Sequence, residues 1–315
     1  MNDSVLKEKI KSVAEAAERS CVLEASSEKP GNVSPTQSFS DTKFEDYLAG
    51  SNALKPAVAA ACLAGCTAGS GKTSPDKIRL GALIKKAMLD VGKSHDGGNT
   101  HLGVALVFIP ISAGAGLCMA EKKGFACLRE CIRRVVAAST VEDALNFYEA
   151  VNLAEAGGLP KSELDVKAEE SKNKIREKKL TFTDIMKLSS EKDMLARELS
   201  TEMPVTFDES IPLLSSLTER LGSASDAIVQ TYLVVLSRHP DTLIAKKAGM
   251  GEAERVSARA LEVIGAGGVL TEEGRSQIRI LDRELRVEEN KLNPGTTADL
   301  IAASIFVSML KDVLG

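Results

Sequence analysis

The chain has 315 residues, 43% apolar and 27% charged, the balance of a soluble globular protein and not of a disordered one. Lys and Arg number 40 against 44 Asp and Glu, a net charge of −4, which argues against a protein that coats nucleic acid. Aromatic residues are 3% with no Trp, which argues against stacking platforms for single strands.

Helical periodicity runs from end to end. Leu6, Ile10, Val13, Ala17 and Cys21 fall on one face of a first helix. The run Lys29-Pro30-Gly31-Asn32-Val33-Ser34-Pro35 breaks it, because two prolines and a glycine cannot continue a helix. Helical patterning resumes over 44–48, and 56–66 reads as an Ala-rich helix. Gly69-Ser70-Gly71-Lys72-Thr73 imitates a phosphate-binding loop. The earlier glycine that such a loop needs is Cys66 here, and no strand precedes it, so an exposed connection is expected. Ser74-Pro75-Asp76 reads as a helix start with Ser as cap, and Leu80, Leu83, Ile84, Ala87 and Val91 form the buried stripe that follows.

The longest apolar run, 104–120, is short for a membrane span and is interrupted by Pro110, Gly114 and Gly116. A buried core helix is expected, with no membrane partner. Helices follow over 125–137 and 141–154, the second with Thr140 and Asp143 spaced as a capping box and ended by Gly157-Gly158. The charged stretch 162–179 reads as a solvated helix face or as a flap over an anionic substrate. Further helices are expected over 183–200, 209–221, 225–237, 252–264 and 271–288, and from Thr297 after Pro294-Gly295. Only 205–207 alternates as a strand does. The expected fold is all-α: a compact multi-helix bundle of roughly a dozen helices in a single domain over 1–315, with the site formed by inter-helix loops.

The cysteine pairs Cys62/Cys66 and Cys127/Cys131 have a spacing that suits a metal or a redox couple. Both lie in apolar helical stretches with no His to complete a zinc set, so small buried hydrophobes are the better reading. No basic segment followed by an apolar core opens the chain, and a cytoplasmic protein with reduced thiols is expected. An Ala-rich helix face is a candidate homodimer surface.

Four loops are richer in polar and glycine residues than connection requires. They hold Glu24 to Ser34; Gly97 to Gly103; His239 to Thr242 with Lys246 and Lys247; and Asn293 to Asp299. In the second, glycines admit close approach of a ligand, and the helix N-terminus that follows favours anions; a turn capped by Thr100 fits the same residues. In the fourth, Thr296 and Asp299 also have capping-box spacing, and in the third Asp241 is placed to cap the helix after it. Together these loops supply carboxylates, lysines and glycine turns, a set that suits magnesium and polyphosphate.

The same loops resemble the motifs of the triphosphoribosyl-dephospho-CoA synthase family, in order. Glu24-Ala25-Ser26-Ser27-Glu28-Lys29-Pro30-Gly31-Asn32-Val33-Ser34 is similar to its opening motif, and Gly98-Asn99-Thr100-His101-Leu102-Gly103 to its central one. Pro240 to Gly249 is similar to the third, and Asn293-Pro294-Gly295-Thr296-Thr297-Ala298-Asp299-Leu300 to the closing one. The version here is most similar to archaeal members. Family members often carry a His and an Asp soon after the first motif; here 35–41 has no His and ends in Asp41.

The resemblance implies an all-α transferase. A ribose hydroxyl of dephospho-CoA, or of a related nucleotide-like acceptor, attacks the anomeric carbon of ATP's ribose, and adenine leaves. It implies Glu24, Asp41 and Asp241 as catalytic carboxylates and Asp241 and Asp299 as ligands of Mg2+. Lys29, Gly31, Asn32, Gly98, Asn99, Thr100, His101, Lys246, Lys247 and Gly295 would surround substrate and phosphates. The same loops also admit an ATP-using phosphotransferase or nucleotidase, ribosyl transfer in an archaeal coenzyme pathway, or a helical protein that binds nucleotide without turnover.

Overall fold

The computed structural model describes residues 3–98, 100–155, 161–286 and 290–315. Among them are fifteen α-helices and no strand. In chain order these are α1 (Asp3–Ser26), α2 (Phe44–Gly69), α3 (Leu80–Val91), α4 (Leu102–Glu121), α5 (Leu128–Ala137), α6 (Val141–Glu155), α7 (Lys161–Glu177), α8 (Phe182–Ser189), α9 (Met194–Ser200), α10 (Ile211–Leu221), α11 (Ala224–Arg238), α12 (Thr242–Ala248), α13 (Met250–Gly265), α14 (Glu272–Leu285) and α15 (Gly295–Leu314).

The core is built around α4. Every residue from Val104 to Met119 is buried, as a helix apolar on all faces requires. It is long and apolar enough to cross a membrane, but 83% of its apolar window is packed inside the protein. α2, α5 and α15 surround it. The α2 and α4 backbones nearly touch: a Cβ on Gly65 would stand 2.0 Å from the Ala113 carbonyl oxygen, and one on Gly116 would stand 1.9 Å from that of Cys62. The small, aromatic-poor composition therefore has a packing consequence, since short side chains let helices approach closely. A continuous apolar cluster runs from Val13 to Leu310. Five of the six cysteines are buried within it as free thiols.

The expected helices over 44–48 and 56–66 are one helix, α2, which runs through Pro56. Packing against α1 and α4 outweighs the single hydrogen bond that proline removes. The expected helix over 183–200 is two, because Asp193 caps a fresh start: its Oδ1 accepts the N–H groups of Leu195 and Ala196. The alternating residues 205–207 are part of a π-helical turn, Val205–Ser210. The buried carboxylate of Glu198 accepts the N–H groups of Val205 and Thr206 and holds that turn. Ser74 does not cap α3, which starts at Leu80 after Arg79 in the left-handed region; residues 75–77 form a short 3-10 turn. The Thr140/Asp143 capping box is formed. Residues 70–73 are an exposed turn. Gly157-Gly158 lies outside the described residues.

Candidate active site

The end of α1 sets the first wall. Glu24 sits in its last turn, and Lys29 folds back from the loop beyond. The Lys29 ammonium donates to the carbonyls of Glu24 and Ser27 and pairs with Glu24 Oε1 at 3.0 Å. A cation is favoured there by the helix C-terminus. Two N–H groups are thereby spent on carbonyls, the ammonium pairs with the Glu24 carboxylate, and the side chain has no exposed surface. The expected phosphate contact from Lys29 is thus corrected: it positions Glu24. The Glu24 carboxyl is raised above its ordinary range by burial, with Lys29 pulling it back down.

Gly31 follows at φ 77, its N–H bound to Asp282 Oδ1 at 2.9 Å, and it does not line the cavity. It turns the chain so that Asn32 does. The Asn32 amide N–H is held by Tyr232 (2.8 Å), whose own hydroxyl donates to the Pro30 carbonyl.

The N-terminus of α4 forms the second wall. The Ser51 hydroxyl donates to the Tyr47 carbonyl at 2.6 Å, so it accepts the Nε2 proton of His101. That leaves His101 Nδ1 to accept from Thr100 Oγ1 at 2.6 Å, and Thr100 in turn accepts from His95 Nε2. Burial, then the neighbouring His95, lower the His101 pKa to about 3. His101 is therefore a neutral strut with both nitrogens occupied, not a cation for phosphate. Thr100 serves this chain instead of capping α4, whose N-cap position is His101. Asn99 lies outside the described residues. Gly98 binds the Asp41 carbonyl and lies off the cavity.

Asp299 stands against this same helix start. A Cβ on Gly103 would sit 2.0 Å from Asp299 Oδ2, so only glycine leaves that carboxylate its place. Thr296 and Asp299 form no capping box; α15 starts behind Pro294 without a side-chain cap. Among the described residues the Asp299 carboxylate has no hydrogen-bond or ion-pair partner. Its carboxyl is held well above the ordinary range by burial first and by Glu24 next.

Asp241 differs. It is fully buried: Oδ1 accepts from the N–H groups of Leu243 and Ile244, and Oδ2 accepts from the Thr297 N–H and hydroxyl. Its lone pairs are committed to internal donors and it has no place on the cavity wall, so the geometry gives Asp241 a structural position and not the one expected of a catalytic group or metal ligand. It caps α12 and ties it to α15. Asp41 is exposed, bound by Thr42 and Asn290, and also lies off the wall. Lys247 donates to the Asn290 carbonyl and is likewise outside.

These walls enclose a cavity of about 420 Å³. Glu24, Asn32, Thr100, His101, Gly295 and Asp299 line it, with Lys246 at the mouth. Tyr47, Lys192 and Asp193 line it too, although no motif marked them. The Tyr47 phenol is kept protonated by burial and by the charges of Glu24 and Asp299. Phe147, Val151 and Ala154 of α6 supply an apolar side.

The model of one family, ATP:dephospho-CoA triphosphoribosyl transferase, matches residues 10–315. The chain belongs to that family. A 2-(5''-triphosphoribosyl)-3'-dephosphocoenzyme-A synthase of Klebsiella pneumoniae is 30% identical over 100 residues, 32% of each chain. That match thus spans about a third of the relative's length. A Malonomonas rubra chain assigned the same name is 25% identical over 300 residues, covering 94% of this chain and 86% of that one. A crystal structure from Archaeoglobus fulgidus, assigned as a triphosphoribosyl-dephospho-CoA synthase, superposes with TM-score 0.60 at 25% identity over 81% of this chain and 98% of that one. The triphosphoribosyl transferase family thus shares this all-helical architecture, and the four motif loops of the present member meet around one space.

Proposed function

We propose that this chain transfers the triphosphoribosyl group of ATP to a ribose hydroxyl of dephospho-CoA or a related nucleotide-like acceptor, releasing adenine. One observation carries the chemistry: two carboxylates of unlike environment, Glu24 and Asp299, face one cavity. The N-terminus of α4, the favourable end of a long helix, borders it through Leu102, Gly103 and Val104. The transfer breaks the bond between the anomeric carbon and adenine and forms one to the acceptor's oxygen. The electron pair leaves on adenine; the hydroxyl proton goes to a base, and a proton must return to the departing adenine nitrogen, so that neutral adenine is released and the base is regenerated. Glu24 is that base: burial raises its proton affinity, while Lys29 keeps it ionisable. Its negative charge also supports an oxocarbenium-like centre, as carboxylates do in glycoside chemistry. Tyr47 remains a donor, placed to hold substrate oxygen or nitrogen. Lys192 and Lys246 at the mouth meet phosphate oxygens.

Magnesium fits these residues. It binds through one or two carboxylates plus substrate phosphates, not through a protein cage, and Asp299 offers lone pairs that nothing in the protein claims. Asp299 would hold the ion, with the uncommitted oxygen of Asp193 the nearest alternative on the wall. When bound, the ion supplies charge neutralisation for the triphosphate. Free buried thiols fit a cytoplasmic setting.

The test is incubation with ATP, Mg2+ and dephospho-CoA, with adenine read by chromatography. Adenine that requires all three is expected. Released phosphate or ADP in its place would identify a nucleotidase or phosphotransferase, and adenine with a different acceptor would replace the substrate.

A further inference from the structure

The turn that carries Asn32 into the cavity has another face. Val33 lines the cavity, while Ser34 lines a second cleft of about 230 Å³ between residues 28–37 and α14. Arg279 and Arg283 share that face of α14 at helical spacing, with Arg286 just past its end, opposite the hydroxyls of Ser34 and Thr36. The acids present are already engaged. Asp282 holds the Gly31 N–H and Arg286, and Glu28 accepts from Thr36 at 2.8 Å. Lys29, also on this wall, is spent on α1. Arg286 is committed to Asp282 and the Asn32 carbonyl. Arg279 and Arg283 alone remain: among the described residues neither guanidinium has a hydrogen-bond or ion-pair partner. Two like charges four apart on a helix repel, and the fold gains nothing visible in return.

The main cavity supplies the complementary need. Its wall carries Lys192 and Lys246 against Glu24, Asp193 and Asp299. That cation supply suits one polyphosphate and not two, and about 420 Å³ suits one nucleotide better than a nucleotide pair. We propose that the cleft between the first-motif turn and α14 is a diphosphate-binding subsite in which Arg279 and Arg283 grip the anion. Planar guanidinium groups bind phosphate oxygens in pairs, and the Asp282–Gly31 and Arg286–Asn32 bonds fasten this subsite to the turn that lines the main cavity. In the acceptor-binding form the subsite rests on the transfer reaction above. The same chemistry also fits a free diphosphate-bearing nucleotide acting as an effector.

The test compares the full-length protein with R279A/R283A. Both arginines are exposed, so the fold is expected to survive, which circular dichroism checks. Isothermal titration with inorganic pyrophosphate needs no turnover and therefore stands even if the transfer reaction is wrong. The variant is expected to lose at least about tenfold in affinity, or one binding site, since charge-assisted bonds are lost; R279K/R283K should recover part. Steady-state kinetics then separate the sources. A raised KM for dephospho-CoA with unchanged kcat and unchanged KM for ATP assigns the subsite to the acceptor. Unchanged kinetics with weakened pyrophosphate binding assigns it to an effector. Equal pyrophosphate affinity and stoichiometry in parent and variant overturns the proposal.

Discussion

At the scale of single residues, Glu24 and Asp299 are two cavity carboxyls whose proton affinity is raised by burial. Asp299 binds its proton more tightly when folded than when unfolded, because of burial and then Glu24. A raised acid favours folding below the ordinary aspartate range, and that advantage is lost as pH climbs from about 4 through the folded value. Asn has no such proton. D299N should therefore be more stable than the parent at neutral pH while losing at least about 100-fold in turnover, the scale of removing one electrostatic stabiliser. Urea midpoints from pH 4 to 8 should converge toward the acid end; parallel curves would contradict the assignment. Lys29 gives the opposite result. K29M leaves Glu24 buried without its counter-charge and should cost about 3–5 kcal/mol, and E24Q/K29M should recover part of it. The motif spacing made Glu24, Asn32 and Asp299 legible as candidates, and all three line the cavity. It could not show that Lys29 and Asp241 are saturated by internal partners, because a hydrogen-bond inventory exists only after folding. Tyr47, Lys192 and Asp193 were invisible for a related reason: each belongs to an element with no motif, and tertiary packing alone brings it to the wall.

At the scale of elements, the helix starts are where packing and chemistry meet. Most helices were legible from periodicity, since α1, α3, α4 and α15 carry apolar residues at three-four spacing or throughout. The errors fell where the hydrogen bonds of one carboxylate override the apolar pattern of a segment. Glu198 imposes the π turn on residues that alternate like a strand, and Asp193 divides one expected helix into α8 and α9. Asp241 is the strongest such device, since one carboxylate caps α12 and anchors the first turn of α15. D241A should lose about 2–4 kcal/mol, the sum of a lost cap and buried donors left unsatisfied, and should weaken activity only through the displaced Asp299. A denaturation curve shifted by that amount separates this from a catalytic role, in which stability would hold while turnover vanished. Gly103 tests the converse. G103A gains helix propensity in α4, so global stability should change little. Its new methyl nonetheless occupies the place of Asp299 Oδ2, and a displaced ligand of this kind costs about 100-fold in rate.

At the scale of the molecule, the cavity has no single owner. Its wall takes residues from α1, α2, α4, α6, α9, α12 and α15 together with the loop at 29–34, so sequence positions 21 to 302 must assemble before any site exists. We propose that residues 1–315 fold as one unit on this account, with the apolar cluster from Val13 to Leu310 as its shared interior. A ligand that fills the cavity then contacts elements from both ends of the chain and stabilises them jointly. At a hundredfold excess over Kd, linkage adds about 2.7 kcal/mol, a rise of about 4 °C in Tm for a chain of this size. The distribution of that gain is the more discriminating measurement. Amide exchange with and without Mg2+ and ATP should slow together at the end of α1, the first turn of α4, α12 and the first turn of α15. Protection confined to one of these would mean that the nucleotide binds a local surface, and the Glu24–Asp299 pairing proposed for the transfer chemistry would have no bound substrate between its members.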